Sequence, residues 1–319
     1  PWTLSIALSE IWQAANMSLA NAWMLTQGAV EAIQAHGTSE QKATYLPKLI
    51  SGEWSGTMNL TEPNAGSDVG ALRTSAVRSN GAWKITGTKI FITHGDQDMT
   101  ENVVHLVLAR TPDGPEGTRG ISLFVVPKFL VESDGKLGKR NDLRAVSLEH
   151  KLGHMASPTA VMSYGDNEGA IGYLLGDENQ GMSCMFTMMN NARLNVAVQG
   201  LAVAERSYQR ALQWAKERIQ GSDISGQSKD KVPIIRHPDV RRMLMEMKSQ
   251  IEAIRALCYS VAEALDLAGQ HPDDLIREQC RGYLELMIPI AKAWSTDQGF
   301  EIASTGVQVH GGMGYIEET

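Results

Sequence analysis

The segment of residues 60–70 combines turn-forming residues with side chains that can hydrogen-bond a ligand. Gly66 and Gly70 allow the backbone to turn tightly and to approach a bound molecule closely. Thr61 and Ser67 supply hydroxyl groups that can fix the orientation of such a molecule. Taken alone, a loop of this composition is also typical of an ordinary connection between two elements. It indicates a ligand site only in the company of other segments.

Two further segments accompany the first one and suit a ligand site. Residues 89–95 read Lys-Ile-Phe-Ile-Thr-His-Gly, and residues 308–315 read Gln-Val-His-Gly-Gly-Met-Gly-Tyr. The second segment is not a Rossmann fingerprint, because it lacks GxGxxG after a strand and the acidic residue that follows. In this order the three segments resemble the acyl-CoA dehydrogenase family of FAD enzymes, and the resemblance runs over the whole chain. The region of residues 127–149 is longer than in the compact members, and together with the sequence of residues 176–182 it makes the chain most similar to the longer bacterial members.

Bulk composition excludes some classes of function. The 319 residues carry a net charge of −7, which argues against a nucleic-acid partner. The three cysteines, Cys184, Cys258 and Cys280, show no CxxC spacing, and the eight histidines show no metal-ligand spacing. We therefore predict core thiols in a reducing compartment and no metal site.

The ends of the chain bear on its location. No apolar run reaches the length needed to cross a bilayer, so we expect no integral membrane segment. No signal peptide is recognisable, because the chain opens inside an amphipathic helical pattern. These features predict a cytoplasmic location in a bacterium, or the mitochondrial matrix in a eukaryote. Because the chain also ends only four residues after the third segment, we expect the 319 residues to belong to a longer polypeptide.

The hydrophobic pattern changes twice along the chain and predicts an α+β fold. Helical spacing comes first, a period of two follows, and long helical patterns complete the chain. We predict an incomplete helical N-terminal domain at residues 1–56 and a central antiparallel β domain at residues 57–168. An incomplete C-terminal helical bundle is predicted at residues 169–319. The resemblance implies the same three-part layout.

Within the β region, Asn80-Gly81 predicts a hairpin with a type I′ turn. Alternating or apolar runs predict further strands at residues 103–110, 121–126 and 159–164.

Several signals predict where helices begin and end. Thr38 or Ser39 is expected to cap a helix. Gly28 is expected to interrupt the first helical pattern, and Pro289 is expected to break or kink a late one. Residues 221–231 form a polar loop that we expect to be mobile.

The resemblance implies an FAD site on the β domain. Thr61 is expected along the pyrimidine edge of the flavin, Phe91 against its ring, Thr93 at its N5 atom, and Ser67 near both the FAD phosphate and the substrate. The whole implied set is Met58, Leu60, Thr61, Ser67, Phe91, Ile92 and Thr93. Phe91 alone would equally suit the core of a sheet.

A second group of residues is implied to reach the FAD of a neighbouring subunit. It comprises Gln308, Gly311 and Gly312, whose glycines permit close approach, and Arg218, whose guanidinium suits a pyrophosphate. A homodimer or homotetramer follows from this arrangement. Arg218 is also consistent with an ordinary cation at a helix end.

Ser67, Ser157 and Arg193 match positions that contact coenzyme A in the family. Arg193 lies in an apolar and amide-rich stretch and needs an anionic partner, which a coenzyme A phosphate or a structural carboxylate could supply. A methionine cluster nearby suits either an adaptable core or an acyl tunnel. It consists of Met182, Met185, Met188 and Met189.

The family reaction removes hydrogens from C2 and C3 of an acyl-CoA to give a trans-2-enoyl-CoA, and an electron-transfer flavoprotein accepts the electrons. A Glu acts as general base. In most members it lies beyond the Gly-Gly segment, so we expect it beyond Thr319 and assign no catalytic residue within the chain. A minority place it where this chain has Ala192. We expect Glu317 and Glu318 to be solvated carboxylates rather than the base.

Two rival functions remain open from the sequence. One is a flavin oxidase or monooxygenase on the same fold, which would react rapidly with O2. The other is a non-catalytic acyl-CoA-binding protein, which would lack the base altogether.

Overall fold

The computed structural model describes residues 1–226 and 229–318. The chain forms two compact units. One consists of Ser18–Ala192, and the other consists of Pro1–Met17 together with Arg193–Thr319. Helices, a β region and further helices follow one another as predicted, so the α+β fold is confirmed. The predicted domain boundaries at residues 56/57 and 168/169 stay a prediction.

The helices are α1 (Trp2–His36), α2 (Ser39–Ser51), α3 (Gly181–Glu217), α4 (Pro238–Gln270) and α5 (Asp274–His310). The strands are β1 (Trp54–Asn59), β2 (Ser75–Ser79), β3 (Ala82–Thr93), β4 (Asn102–Arg110), β5 (Ile121–Pro127), β6 (Phe129–Val131), β7 (Leu137–Arg140), β8 (Leu143–Leu148), β9 (Thr159–Tyr164), β10 (Ala170–Leu175), β11 (Ile219–Ser222) and β12 (Lys231–Pro233).

The unit of residues 18–192 is built around one eight-stranded sheet. Its strands follow the order β1-β4-β5-β10-β3-β9-β8, and β2 pairs with both β3 and β4. Most pairs are antiparallel as predicted, but β1 runs parallel to β4. The predicted hairpin is confirmed, since Asn80 and Gly81 take φ angles of 49° and 80° between β2 and β3. β1 begins at Trp54, three residues before the predicted start of the β region.

The long region at residues 127–149 folds beside this sheet. β6 and β7 form a separate two-stranded ribbon, and β8 becomes an edge strand through its pairing with β9. Asn102 fixes the start of the ribbon, because its side chain donates to Phe129 O at 3.0 Å and accepts from Phe129 N at 2.9 Å.

The predicted cap at Thr38 is confirmed, and the predicted interruption at Gly28 is wrong. Thr38 caps α2 in a reciprocal capping box with Gln41, as predicted. α1 continues through Gly28, where a Cβ atom would lie 2.8 Å from Met188 Cγ, so this glycine serves close packing rather than interruption. The helical geometry of α1 fails instead at Asn16, with φ −155° and ψ 93°.

α5 continues through Pro289 from Asp274 to His310, so the helix does not break there, and the alternative of a kink stays a prediction. A proline inside a helix costs about 3 kcal/mol. The buried face of α5 keeps its phase across the proline, with Ile288 and Ala291 both in the apolar core. Packing of that continuous face offsets the missing hydrogen bond.

The second unit packs α4 and α5 against residues of α3 from Arg193 onward. Gly200 and Gly299 allow a close crossing, since a Cβ atom on Gly200 would lie 2.3 Å from Ser295 O. Arg255 joins the first helical turns to this unit, with its Nη2 atom 2.8 Å from Glu10 Oε1. Gln227 and Ser228 of the loop expected to be mobile lie outside the described residues.

None of the described helices combines the length and the apolar character that a membrane crossing requires.

Candidate functional site

Phe91 lies in a β-bulge. Lys89 pairs with Met162 and Ile92 pairs with Ala160, so three steps along β3 face two steps along β9. Phe91 takes a positive φ of 60° in this bulge, and its side chain is 59% exposed. Ile92, the next residue, is buried in the core of the sheet. The alternative of a core aromatic is therefore wrong for Phe91, whereas Ile92 points inward and supports the strand.

The segment that follows β1 lies against the same part of β3. The Ile90 amide donates to Thr61 O at 2.9 Å. This bond places Thr61 beside the residue that precedes Phe91. Thr61 and Thr93 are both half-buried, so neither residue is enclosed in the core of the sheet. Thr61, Phe91 and Thr93 are thus brought together at one corner of the β region.

Met58, Leu60 and Ser67 belong to the same stretch of chain. Met58 is half-buried near the end of β1, and Leu60 is buried in the core. Ser67 is exposed, and its neighbour Gly66 lies next to Thr61, since a Cβ atom there would be 3.9 Å from Thr61 Cγ2. Of these three side chains, Ser67 is the most accessible to a ligand.

Arg110 holds the far end of this loop without any carboxylate. Its guanidinium donates to four backbone carbonyl groups, those of Gly70, Leu72, Pro115 and Gly117. Residues 70–72 and residues 115–117 are thereby tied to the end of β4.

Glu62 and Lys89 form a buried ion pair that the sequence analysis did not single out. Lys89 Nζ lies 2.8 Å from Glu62 Oε1, and the two side chains are 0% and 3% exposed. Burial lowers the pKa of Lys89 to about 8, although Glu62 opposes this shift. Burial raises the pKa of Glu62, but Lys89 and hydrogen bonds from residues 73 and 74 outweigh it, and the net pKa lies below the usual value.

A second network of buried polar side chains connects β1 with β4 and β9. His105 Nδ1 is 2.7 Å from Thr57 Oγ1, Asn59 Nδ2 donates to the same hydroxyl, and Tyr164 OH donates to Asn59 Oδ1 at 2.9 Å. His105 is completely buried, and burial lowers its pKa to about 3. This neutral network fixes the backbone of β1 on both sides of Met58.

Ser157 is brought next to the end of β3. Thr93 pairs with Thr159, and the His94 amide donates to Pro158 O at 2.8 Å. The Ser157 hydroxyl lies 3.3 Å from His94 Nε2, and the residue is 1% exposed. Ser157 therefore lies next to His94, the residue that follows Thr93, but its hydroxyl faces the protein. Its contact with coenzyme A stays a prediction.

In the other unit, the residues expected to meet a neighbouring subunit's FAD gather at the ends of two helices. Trp214 near the end of α3 stacks on His310 at the end of α5, with ring centroids 5.4 Å apart. Arg218 follows Trp214 by one turn, and Gly311 follows His310 directly. All the predicted members of this group are exposed, namely Arg218, Gln308, Gly311 and Gly312.

Gly311 ends α5 with φ 65° and ψ −141°, a conformation that is essentially restricted to glycine.

Arg193 lies far from Arg218. Arg193 is half-buried on α3. It lies roughly 36 Å from the end of α3, which Arg218 follows directly, at 1.5 Å per residue.

The methionine cluster is mainly core. Met185 and Met188 are completely buried, whereas Met182 and Met189 are partly buried against the same apolar cluster. Within residues 1–226 and 229–318, no three His, Cys, Asp or Glu side chains are placed to hold a metal ion.

Comparison with known proteins identifies the class to which this fold and corner belong. Models of the acyl-CoA dehydrogenase N-terminal, middle and C-terminal domains match residues 1–53, 57–166 and 179–319. The chain belongs to the acyl-CoA dehydrogenase family.

Particular relatives are also similar over nearly the whole chain. The 3-methylmercaptopropionyl-CoA dehydrogenase of Ruegeria pomeroyi is 53% identical over 320 residues, which cover 100% of this chain and 54% of that protein. A butyryl-CoA dehydrogenase of Syntrophomonas wolfei is 40% identical over 97% of this chain and 52% of its own length. The predicted similarity to longer bacterial members is confirmed. The chain spans about half the length of these curated relatives.

A solved structure agrees in fold. The butyryl-CoA dehydrogenase from Megasphaera elsdenii superposes with a TM-score of 0.78 at 25% identity, covering 98% of this chain and 73% of that one.

Proposed function

We propose that the protein is an FAD-dependent acyl-CoA dehydrogenase that converts an acyl-CoA thioester to a trans-2-enoyl-CoA. The observation that carries this proposal is the corner formed by Thr61, Phe91 and Thr93 in a member of this family. An exposed aromatic ring at a bulge, with two half-buried threonines in the adjoining segments, suits a flat ligand ring with polar edges. Bound FAD would supply the redox chemistry by accepting a hydride from C3 of the substrate.

The positions of the β-region residues support the following proposed roles. Phe91 would pack against the flavin ring, and the hydroxyls of Thr61 and Thr93 would hydrogen-bond its polar edge. Met58, Leu60 and Ile92 shape and support the apolar wall beneath. Ser67 lies at the accessible loop, near the FAD phosphate and the thioester substrate.

Substrate binding is proposed for Ser67, Ser157 and Arg193. The relatives named for 3-methylmercaptopropionyl-CoA and butyryl-CoA favour a short acyl chain. An electron-transfer flavoprotein is the proposed electron acceptor, and the cytoplasm of a bacterium, or the mitochondrial matrix in a eukaryote, is the proposed location.

The purified full-length protein should show the visible absorption bands of bound flavin. Anaerobic addition of 3-methylmercaptopropionyl-CoA or butyryl-CoA should bleach these bands, and a long-chain acyl-CoA should bleach them more slowly. Thr93→Val should weaken FAD binding, while Thr118→Val, at an exposed position outside the corner, serves as the matched control.

The same experiment separates the two rivals. Re-oxidation of the bleached flavin by air within the mixing time would identify an oxidase or monooxygenase. Tight binding of acyl-CoA without any bleaching would identify a non-catalytic binding protein.

We further propose that Arg218, Gln308, Gly311 and Gly312 of one subunit contact the FAD of another. Their exposure and their grouping at the ends of α3 and α5 support this assignment. Light scattering of the FAD-saturated protein should give a homodimer or homotetramer. A stable monomer that retains stoichiometric FAD would contradict the proposal.

A further inference from the structure

The buried ion pair of Lys89 and Glu62 connects two segments that are far apart in sequence. Besides the carboxylate, Lys89 Nζ contacts Leu60 O at 2.9 Å. Lys89 lies on β3, two residues before Phe91, and is completely buried. One ammonium group therefore binds the main chain on one side of Thr61 and the side chain on its other side.

Glu62 also closes its own loop. Its Oε2 atom accepts from the Arg73 amide at 2.6 Å, and its Oε1 atom accepts from the Thr74 amide at 3.0 Å. Thr74 Oγ1 donates to Oε1 as well. Residues 62–74, which include Ser67, are thus drawn into a closed loop by a carboxylate at their beginning.

The directions of these bonds explain why charged groups stand here. A buried ion pair adds little net stability over well-packed apolar residues, because desolvation offsets the attraction. An apolar pair would provide no acceptor for the two amides and no donor for Leu60 O. The ion pair thus fixes the path of the backbone rather than strengthening the core.

On the basis of the proposed function, we propose that Lys89 and Glu62 are positioning residues of the flavin site. They hold the loop of residues 62–74 closed and hold Thr61 against β3, so that Thr61, Ser67 and Phe91 are already arranged before FAD binds. Such preorganisation removes an ordering cost from cofactor binding.

The test compares Lys89→Met, Glu62→Gln and the milder Thr74→Val with a destabilised control, Val126→Ala. Val126 is buried in an apolar cluster that contains no residue of the loop. Hydrogen exchange of the flavin-free proteins reports on the loop through the amides of Arg73, Thr74 and Ile90. Thr74→Val keeps the shape of the side chain, so this variant still tests the role of the hydrogen bonds to Glu62 if the ion-pair variants do not fold.

We expect these amides to exchange roughly tenfold faster or more in the loop variants, while amides of β4 and β5 keep their relative protection. If the loop is arranged for binding only about a tenth of the time, the Kd for FAD rises about tenfold. Combining Lys89→Met with Glu62→Gln should weaken FAD binding no more than the worse single change, because the pair acts as a unit. Val126→Ala should change exchange evenly and leave the Kd for FAD within about threefold.

The inference is overturned if the loop variants keep both the parent exchange pattern and the parent FAD affinity. It is equally overturned if they change FAD affinity no more than Val126→Ala does at the same loss of stability. A parent protein that binds no FAD would refute the proposed function, and the exchange experiment would still decide the role of the ion pair.

Discussion

His105 Nδ1 lies 2.7 Å from Thr57 Oγ1 inside the sheet, and burial keeps this imidazole neutral with a pKa of about 3. In the unfolded chain the same group takes up a proton below about pH 6.5. The unfolded state thus binds more protons as the pH falls, and the free energy of unfolding must decrease.

We expect this decrease to reach about 1.4 kcal/mol per pH unit from His105 alone between about pH 6.5 and pH 3. His105→Asn keeps a polar side chain next to Thr57 but cannot titrate. The variant should be less stable at pH 7 and should show a smaller slope of stability between pH 6.5 and pH 4.5. Urea unfolding at several pH values measures both slopes. Equal slopes for parent and variant would show that His105 is protonated in the folded protein.

Phe91 should store backbone strain, because a non-glycine residue with φ near 60° costs about 1–2 kcal/mol. Phe91→Gly and Phe91→Ala both remove the ring, but only glycine relieves the strain. We expect the glycine variant to be more stable than the alanine variant by about 1 kcal/mol, while both bind FAD more weakly than the parent. Thermal unfolding and flavin fluorescence provide the two measurements. An alanine variant at least as stable as the glycine variant would rule out strain at this bulge.

Burial raises the pKa of Glu31 on α1 to about 7, although the side chain of Asn191 on α3 opposes this shift. Its folded form holds a proton between about pH 4.5 and pH 7 that the unfolded form has lost, so this group lowers stability as the pH rises. Glu31→Gln should therefore stabilise the protein at pH 8 by up to about 3 kcal/mol, and should have little effect at pH 4. The exposed Glu116→Gln is the charge control. A stabilisation that is the same at both pH values would contradict the shifted pKa.

Glu317 and Glu318 are exposed and follow the Gly-Gly segment, and we predict that neither of them is the general base. Changing each to Gln should leave the rate of flavin reduction by acyl-CoA within roughly tenfold of the parent, below the usual contribution of a general base. Stopped-flow reduction measures this rate, with the flavin spectrum confirming that FAD stays bound. A fall of several orders of magnitude at full FAD occupancy would place the base at one of these residues.

Local chemistry made much of the fold predictable. Asn80-Gly81 and Thr38 act through turn and cap geometry that depends only on neighbouring residues. Pro289 does not end its helix, because the packed face of a long helix, which no local rule describes, outweighs the cost of one proline.

The candidate site was predictable as a set of segments, but not as a geometry. Phe91 turns outward because β3 carries one extra residue against β9, and this register depends on a distant strand. The position of Lys89 in the sequence did indicate a buried charge. It shares the inward phase of β3 with Trp83 and Ile85, and a lysine at such a position requires a buried carboxylate. Glu62, in the neighbouring motif, was the available partner.

The four carbonyl bonds of Arg110 give the exposed turn at residues 115–117 an influence on the ligand loop that its position would not suggest. Segments joined in this way open and close together as one cooperative unit. A proteolytic nick in residues 111–117 should therefore loosen residues 70–72 as well, although about 40 residues separate the two segments along the chain. The guanidinium of Arg110 acts as a cross-link, through which insertions or deletions in an outer turn reach the residues beside Ser67.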